Sequence, residues 1–129
     1  MTEGRRDAPA GHSEACPCCG RRTLHSRRGD DICGVCWWHD DGQDNADADE
    51  VRGGPNSDLS LTQARFNALI YGIANPRRTD LMSQREPAEA FEVGRTFVLS
   101  LDGSAVREPE TGWEGRVVPA GSRGRPTRG

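Results

Sequence analysis

Two pairs of cysteines with CxxC spacing constrain this sequence more than any other feature. Cys16 and Cys19 form the first pair, Cys33 and Cys36 form the second, and 13 residues separate the pairs. A CxxC turn presents two sulfur atoms from one tight backbone loop, and zinc prefers four thiolates at the corners of a tetrahedron. The spacing therefore predicts one zinc ion bound by these four cysteines.

A site of four thiolates has no coordination position for a substrate or for water, so we expect the zinc to be structural. The composition agrees with a need for such support. Of 129 residues only 33% are hydrophobic, and 16 Gly and 8 Pro interrupt the pattern. A core this small usually requires a metal, a disulfide or a partner.

Disulfide pairing and a redox CxxC site are the alternatives for the cysteines. Residues 1–15 lack the apolar segment of a signal peptide, and the sequence has no apolar run of membrane-spanning length. We therefore expect a cytoplasmic protein, and in a reducing compartment paired cysteines are more often metal ligands. No thioredoxin-like pattern surrounds either pair, which disfavours the redox site.

A β-hairpin is predicted between the two cysteine pairs. Residues 22–26 alternate as a strand, residues 27–30 resemble a turn, and residues 31–32 begin a return strand. Gly20 directly after the first pair permits the positive φ of a cysteine knuckle, and Pro17 restricts the turn. We expect the hairpin to bring the two knuckles together.

Four further residues are candidates for metal binding or catalysis. Cys18 lies inside the first turn, where we expect its side chain to point away from the metal; a nucleophile or redox sensor is the alternative. His12, His25 and His39 are each able to replace a cysteine ligand. With four matched thiolates present, we do not expect such a replacement.

An acidic segment follows the second pair, with six carboxylates within residues 40–50. No register within it satisfies the EF-hand pattern, so calcium is a minor alternative. We expect these side chains to form local turns or to pair with Arg52 and Arg65. The six are Asp40, Asp41, Asp44, Asp47, Asp49 and Glu50.

The overall charge disfavours nucleic acid as a partner. All 17 basic residues are Arg, and 20 acidic residues leave a net charge of −3. Binding to nucleic acid would require a separate basic face, for which the candidates are Arg21, Arg22, Arg27 and Arg28. The C-terminal tail is also basic, since four Arg and no acid follow Glu114.

A helix over residues 61–71 is predicted by Ser60 and Gln63, which have capping-box spacing, and by Gly72 after its last turn. Apolar residues at helical spacing should pack on the hairpin and on Trp37 and Trp38, and a partner-binding groove is the alternative. These apolar residues are Phe66, Leu69, Ile70 and Ile73.

Together these patterns predict a small metal-stapled α+β fold, a zinc-ribbon-like β-hairpin with two CxxC knuckles followed by one α-helix. Residues 1–14 are predicted to be a disordered leader and residues 15–76 the zinc-binding domain. Residues 77–129 are predicted to be a poorly ordered extension. We expect it to contain a short helix at 87–93, a hairpin at 96–107 and a basic disordered tail.

Several linked motifs resemble the bacterial cysteine-rich CPCC family: CPCCG, ICGVCWW, DDGQDNADADE, GGPN and SLTQARFN, in this order. The resemblance covers about residues 16–74. It implies a small zinc-ribbon-like domain with Cys16, Cys19, Cys33 and Cys36 in the ligand positions, and it implies no established biochemical activity. It also places Trp37 at the aromatic position after the second knuckle and Asn67 in the helix. His39 stands where the family usually has an acid.

The function predicted from these observations is a zinc-binding, non-enzymatic module that interacts with another protein. Its contact surface would be the edge of the ribbon, the Trp37–Trp38 pair or the acidic segment. One alternative is a nucleic-acid-binding zinc ribbon that uses the arginine pairs and the basic tail. A lesser alternative is an enzyme that uses Cys18, His25 or the acidic segment, for which no triad spacing is visible.

Overall fold

The chain folds as a small α+β protein with one main helix and two antiparallel sheets. The computed structural model describes residues 13–117. Strands β1 (Glu14–Ala15) and β2 (Arg22–Leu24) pair around the first CxxC turn. The acidic segment contains a 3-10 helix, Asn45–Asp47, and a second 3-10 helix, Gly54–Asn56, precedes helix α1 (Leu61–Tyr71).

The part of the chain after α1 carries the second sheet. Helix α2 (Thr79–Met82) and a 3-10 helix (Ala88–Ala90) come first. Three strands then form an antiparallel sheet in chain order, and this sheet packs against α1. The strands are β3 (Val98–Leu99), β4 (Ala105–Glu108) and β5 (Trp113–Arg116).

The bounds of α1 agree with the prediction. The Ser60 hydroxyl accepts a hydrogen bond from the Gln63 amide at 3.0 Å, which satisfies one of the free amides at the start of the helix. Gly72 ends the helix in the left-handed conformation, with φ of 82°, and its amide donates to the Ala68 carbonyl.

The buried face of α1 differs in part from the predicted one. Of the four predicted apolar residues, Ile73 is fully buried and Phe66 packs against the core of the second sheet. Leu69 and Ile70 are 41% and 47% exposed, whereas Leu61, Ala64 and Arg65 are fully buried. These three residues also lie on one face of the helix. However, Ala64 is small and Arg65 is charged, so this face shows little hydrophobic periodicity in the sequence. Alanine on this face allows the helix to lie close to the cysteine turns, where Leu61 and Ala64 join the same core as Cys16 and Trp38.

Arg65 is the central polar residue of the interior. Its guanidinium lies between two aromatic rings, 4.3 Å from the centroid of Phe97 and 4.4 Å from that of Trp113. Its Nε donates to the Pro17 carbonyl at 2.7 Å and its Nη1 to the Asn45 side chain at 2.8 Å. Burial, together with the nearby Arg95, lowers the pKa of Arg65 to about 10. The side chain joins α1 to the first cysteine turn and to the second sheet.

A network of ion pairs continues from Arg65. Asp44 accepts hydrogen bonds from Arg27 at 2.9 Å and from Arg95 at 2.9 Å, and it lies 3.5 Å from Arg65. Arg95 also binds both carboxylate oxygens of Glu108 at 2.9 Å, and this contact holds the pKa of Glu108 at about 2. Burial alone would raise the pKa of Asp44, but Arg95 and Arg27 outweigh it and hold that pKa well below its usual value.

The predicted hairpin between the cysteine pairs is not formed. Strand β2 pairs with β1 on the other side of the first pair, and Ile32 forms a bridge with His39 on the other side of the second pair. Each CxxC turn therefore lies at the tip of its own short hairpin. The chain between them is held by side chains, such as Asp31, which accepts a hydrogen bond from the His25 amide.

Residues 77–117 differ from the expectation of a poorly ordered extension, because they carry α2 and the second sheet. The hairpin predicted at 96–107 corresponds to β3 and β4, and β5 is an additional strand after a turn at Gly112. The helix predicted at 87–93 is shorter: the 3-10 helix ends at Ala90, and Phe91 is extended and buried in the core. An extended backbone here lets Val93 form a bridge with Arg21.

Residues beyond 76 also contact both cysteine turns. Residues 77–95 are here called the crossing segment. In this segment, the Glu86 amide donates a hydrogen bond to the Gly34 carbonyl at 2.9 Å. Farther along, the amides of Gly94 and Arg95 both donate to the Gly20 carbonyl, at 2.7 and 3.0 Å.

Two predictions concern residues outside this description. Most of the predicted leader (residues 1–14) and the end of the basic tail (residues 118–129) lie outside the described residues.

Within residues 13–117, none of the helices has the length and apolar character needed to cross a membrane.

Replacement of the buried arginine should be much more destabilising than replacement of an exposed one. Arg65→Met leaves the Pro17 carbonyl without its side-chain donor and removes one of the two donors to the Asn45 side chain, and we expect a loss of about 3 kcal/mol in the free energy of unfolding. Arg52→Met is the control, because Arg52 forms a partly exposed pair with Glu50 and should cost less than about 1 kcal/mol. Urea unfolding of both purified variants measures the difference, and equal losses would contradict a central role for Arg65.

Candidate metal centre

The first knuckle is a tight turn within the hairpin of β1 and β2. The Cys16 amide donates to the Arg21 carbonyl at 2.8 Å, and the Gly20 amide donates back to the Cys16 carbonyl at 2.9 Å. Gly20 has φ of 84°, in the left-handed region. The turn presents the sulfurs of Cys16 and Cys19 on the same side.

The second knuckle repeats this backbone pattern at equivalent positions. The Cys33 amide donates to the Trp38 carbonyl at 3.0 Å, and the Trp37 amide donates to the Cys33 carbonyl at 2.8 Å. Trp37 has φ of 67°, so it takes the conformation that Gly20 has in the first knuckle. The two CxxC sequences thus form the same local structure twice.

The structure brings the four predicted cysteines into one cluster. The Sγ atoms of Cys16 and Cys36 are 3.7 Å apart, as are those of Cys19 and Cys33. All four sulfurs lie within 4.8 Å of one another. A tetrahedral site with zinc–sulfur bonds of about 2.3 Å requires sulfurs about 3.8 Å apart, so the residues fit a single metal ion.

Hydrogen-bond donors surround the Cys33 sulfur. The amides of Val35 and Cys36 approach it at 3.4 and 3.3 Å, and the Thr23 hydroxyl donates to it at 3.0 Å. Donors of this kind stabilise negative charge on a thiolate ligand. Thr23 was not among the residues predicted from the sequence; its place in β2, four residues after Cys19, is the signal that could have pointed to it.

The four thiols cannot all ionise easily without a cation. Burial raises the pKa of the Cys16 and Cys36 thiols well above its usual value. Burial also opposes ionisation of Cys33, but hydrogen bonds from the neighbouring thiols and from Thr23 outweigh it and hold the pKa of Cys33 well below its usual value. A bound divalent cation supplies the charge that lets the remaining thiols ionise.

The cluster is closed on most sides. Cys16, Cys33 and Cys36 are completely buried, and they share a core with Leu24, Trp38 and α1. Cys19 is the member of the cluster that is partly exposed. Three inaccessible sulfurs and one partly accessible sulfur suit a metal that supports the fold.

A family model described as Cysteine-rich CPCC matches residues 14–90, which include both knuckles, α1 and most of the crossing segment. The chain belongs to the cysteine-rich CPCC family. The match extends beyond residue 76, so the CPCC family segment includes the contact between Glu86 and the second knuckle. Searches of curated proteins and of solved structures found no significant match.

The remaining cysteine of the chain, Cys18 within the CPCC motif, is buried beside the cluster and interacts with the Cys36 side chain. Cys18 is 1% exposed, and the structure does not place it among the four clustered sulfurs. Nor does it include a histidine in that cluster. The ring nitrogens of His25 and His39 each lie 3.1 Å from a carboxylate, of Asp31 and Asp30 respectively. His12 lies outside the described residues.

The acidic segment is used largely for internal contacts. Asp40 pairs with Arg27 at 3.0 Å, and Asp47 pairs with Arg52, as Glu50 does at 3.7 Å. Asp49 accepts a hydrogen bond from the Thr62 hydroxyl at 2.6 Å. Local turns, arginine pairs and the bond to Thr62 thus use these carboxylates within the fold, in agreement with the structural role predicted from the sequence. Among residues 13–117, the cysteine cluster alone has the geometry of a metal site.

The four arginines considered as a basic face are not all free. Arg27 is neutralised by Asp40 and Asp44, and Arg22 lies 3.8 Å from Glu92. Paired guanidiniums have little attraction left for phosphates. Two of the four candidates are therefore paired with carboxylates, whereas Arg21 and Arg28 form no ion pair within residues 13–117.

The Thr23 hydroxyl should strengthen metal binding. Thr23→Val keeps the shape of the side chain but removes the donor to Cys33, and we expect metal affinity to fall by about tenfold. Thr23→Ser retains the hydroxyl and is the control. Competition with a chromophoric chelator measures both affinities, and a Val variant that binds as tightly as the Ser variant would contradict this role.

Replacement of Gly20 should be destabilising both because of its left-handed backbone and because the Arg95 carbonyl lies close to it. A Cβ atom at Gly20 would lie 2.0 Å from the Arg95 carbonyl oxygen, whereas one at Gly103, with φ of 75°, would meet nothing within 4 Å. Gly103→Ala should cost about 1 kcal/mol for its left-handed conformation. Gly20→Ala should cost a further 1–3 kcal/mol or so, because the crossing segment must move away from the knuckle. Urea unfolding compares the two, and equal costs would show that the close contact is unimportant.

Proposed function

We propose that this protein binds one zinc ion through Cys16, Cys19, Cys33 and Cys36, and that the ion is structural. The spacing of the sulfurs carries the proposal, because it matches a tetrahedral metal–thiolate site. Zinc is the metal that most commonly occupies four-cysteine sites with CxxC spacing. When bound, it joins the two knuckles directly, in addition to the core that they share with α1.

Burial of the site supports a role without catalysis. Four thiolates complete the coordination of the metal, and three of the sulfurs are inaccessible to a substrate. Cys18 is also buried, which does not suit a nucleophile that must reach a substrate in solution. A reducing compartment such as the cytoplasm would keep the thiols available for metal.

We further propose that the zinc-stabilised fold serves as a protein-interaction module. The Trp37–Trp38 pair is unsuitable as its contact surface, since Trp38 is 1% exposed and the Trp37 indole donates to the Leu81 carbonyl at 2.9 Å. The acidic segment is largely paired with arginines. The outward side of α1 is a better candidate, because Leu69, Ile70 and Tyr71 are all more than 40% exposed.

Metal analysis tests the zinc site directly. Protein purified without added metal should contain one zinc per chain by elemental analysis, and Cys33→Ser should lose it. Cys18→Ser is the matched control, since it removes a neighbouring buried thiol and should retain one zinc. Iron in place of zinc would contradict the choice of metal, and absence of metal with oxidised thiols would favour a disulfide or redox protein instead.

The interaction role needs a separate test. Chemical cross-linking in lysate at moderate salt should yield a protein adduct with the zinc-loaded chain and none with Cys33→Ser, because the contact surface depends on the folded knuckles. An adduct pattern that is the same for both chains, or adducts that disappear after nuclease treatment, would count against a protein partner.

A further inference from the structure

A groove of about 210 Å³ lies where α1, both knuckles and the crossing segment meet. Leu69 and Ala68 of α1 form one wall, Val35 of the second knuckle lies between, and Ala88 of the crossing segment forms the opposite side. Cys19, the partly exposed member of the sulfur cluster, also lines the groove. The groove therefore combines apolar side chains with polar surface, and one member of the sulfur cluster belongs to its lining.

Two arginines that line this groove have no carboxylate partner within residues 13–117. Arg21 donates to the Phe91 carbonyl at 3.0 Å and Arg85 to the Gly72 carbonyl at 3.1 Å, and both residues line the groove. Carbonyl groups orient these side chains but do not neutralise their charge. Within residues 13–117, neither arginine has a carboxylate in ion-pair contact, whereas most of the other arginines do.

This combination of positive charge and apolar surface defines the chemistry of a ligand. Leu69 is 41% exposed and lines the groove. An aliphatic side chain fits against Leu69 and the partly buried Ala68, and carboxylates fit the guanidiniums of Arg21 and Arg85 with charge-assisted hydrogen bonds. Nucleic acid matches less well, since two arginines beside aliphatic walls provide neither a continuous basic track nor a stacking surface.

The remaining parts of the same chain are poor occupants. Residues 118–129 contain three arginines and no acid, so they share the charge of the groove. Residues 1–12 contain two acids and two arginines and have no net charge, with histidine neutral. A separate polypeptide with acidic and aliphatic residues matches the groove better than either terminus.

We propose that the groove binds a peptide segment of a partner protein, with an aliphatic side chain against Leu69 and carboxylates on Arg21 and Arg85. This inference rests on the proposed interaction function and names its surface. Because Cys19 lines the groove, the bound peptide covers the partly exposed member of the sulfur cluster. Partner binding and retention of the metal are therefore linked, and each strengthens the other.

Selection from a random peptide library displayed on phage tests the chemistry of the partner. With the zinc-loaded full chain as target, the enriched peptides should contain an aliphatic residue flanked by Asp or Glu. Synthetic peptides of the enriched sequence then give affinities by fluorescence anisotropy. Failure to enrich any acidic and aliphatic sequence overturns the proposal, and so does tighter binding of a single-stranded oligonucleotide that displaces the peptide.

Matched variants locate the site. Arg21→Gln and Arg85→Gln should each weaken peptide binding by about tenfold, since each removes charge-assisted hydrogen bonds. Arg28→Gln is the control, because Arg28 also lacks a carboxylate partner within residues 13–117 but contacts Gly42 away from the groove. Leu69→Ser should likewise weaken binding by about tenfold, whereas Leu101→Ser, at a fully exposed leucine, should leave it unchanged.

The link to the metal provides an independent readout. Saturating peptide should slow both the alkylation of Cys19 by N-ethylmaleimide and the transfer of zinc to a chelator. A peptide that binds the groove variants as well as the original chain overturns the groove as its site. If the cross-linked partner is also retained by those variants, the interaction function stands and only the proposed surface is wrong.

Discussion

The meeting of four sulfur atoms is the contact on which the rest of this structure depends. Each knuckle is a short turn held by two backbone hydrogen bonds, and neither has enough apolar surface to be stable alone. Their sulfurs approach to 3.7 Å across the gap between them. Helix α1 packs over this junction through Leu61 and Ala64, and Trp38 fills the space beside it. Loss of the junction would therefore remove the core as well as the metal site.

A second, polar junction ties the remaining parts of the chain to the first. Arg65 reaches from α1 to the Pro17 carbonyl in the first knuckle, and its guanidinium is enclosed by Phe97 and Trp113 of the C-terminal region. Asp44 then links Arg65 to Arg95 and through it to Glu108. A buried charge of this kind requires partners in definite positions, so the network favours one arrangement of the second sheet against the knuckles.

The sequence predicted the features that depend on local chemistry. The CxxC spacing predicted which sulfurs would come together, and Ser60 and Gly72 predicted the bounds of α1 from capping alone. The prediction for α1 was wrong at Leu69 and Ile70, because hydrophobic periodicity gives weight to these residues and none to Arg65, whose burial depends on aromatic rings more than thirty residues away. The pairing of β2 was also wrong, since an alternating strand shows that it needs a neighbour but not which one. Strand β5 had no signal because its Gly115 and charged residues resemble a loop.

The two knuckles share one backbone structure but differ in the residue that follows each pair. In the first knuckle the Arg95 carbonyl presses against Gly20, and in the second Trp37 occupies the same left-handed conformation with its large side chain directed to Leu81. The metal imposes the same demand on both turns, so this difference comes from their neighbours. Which residues are allowed directly after each CxxC pair thus depends on the segment that packs over the turn. Two turns with the same metal-binding geometry can therefore carry different sequences.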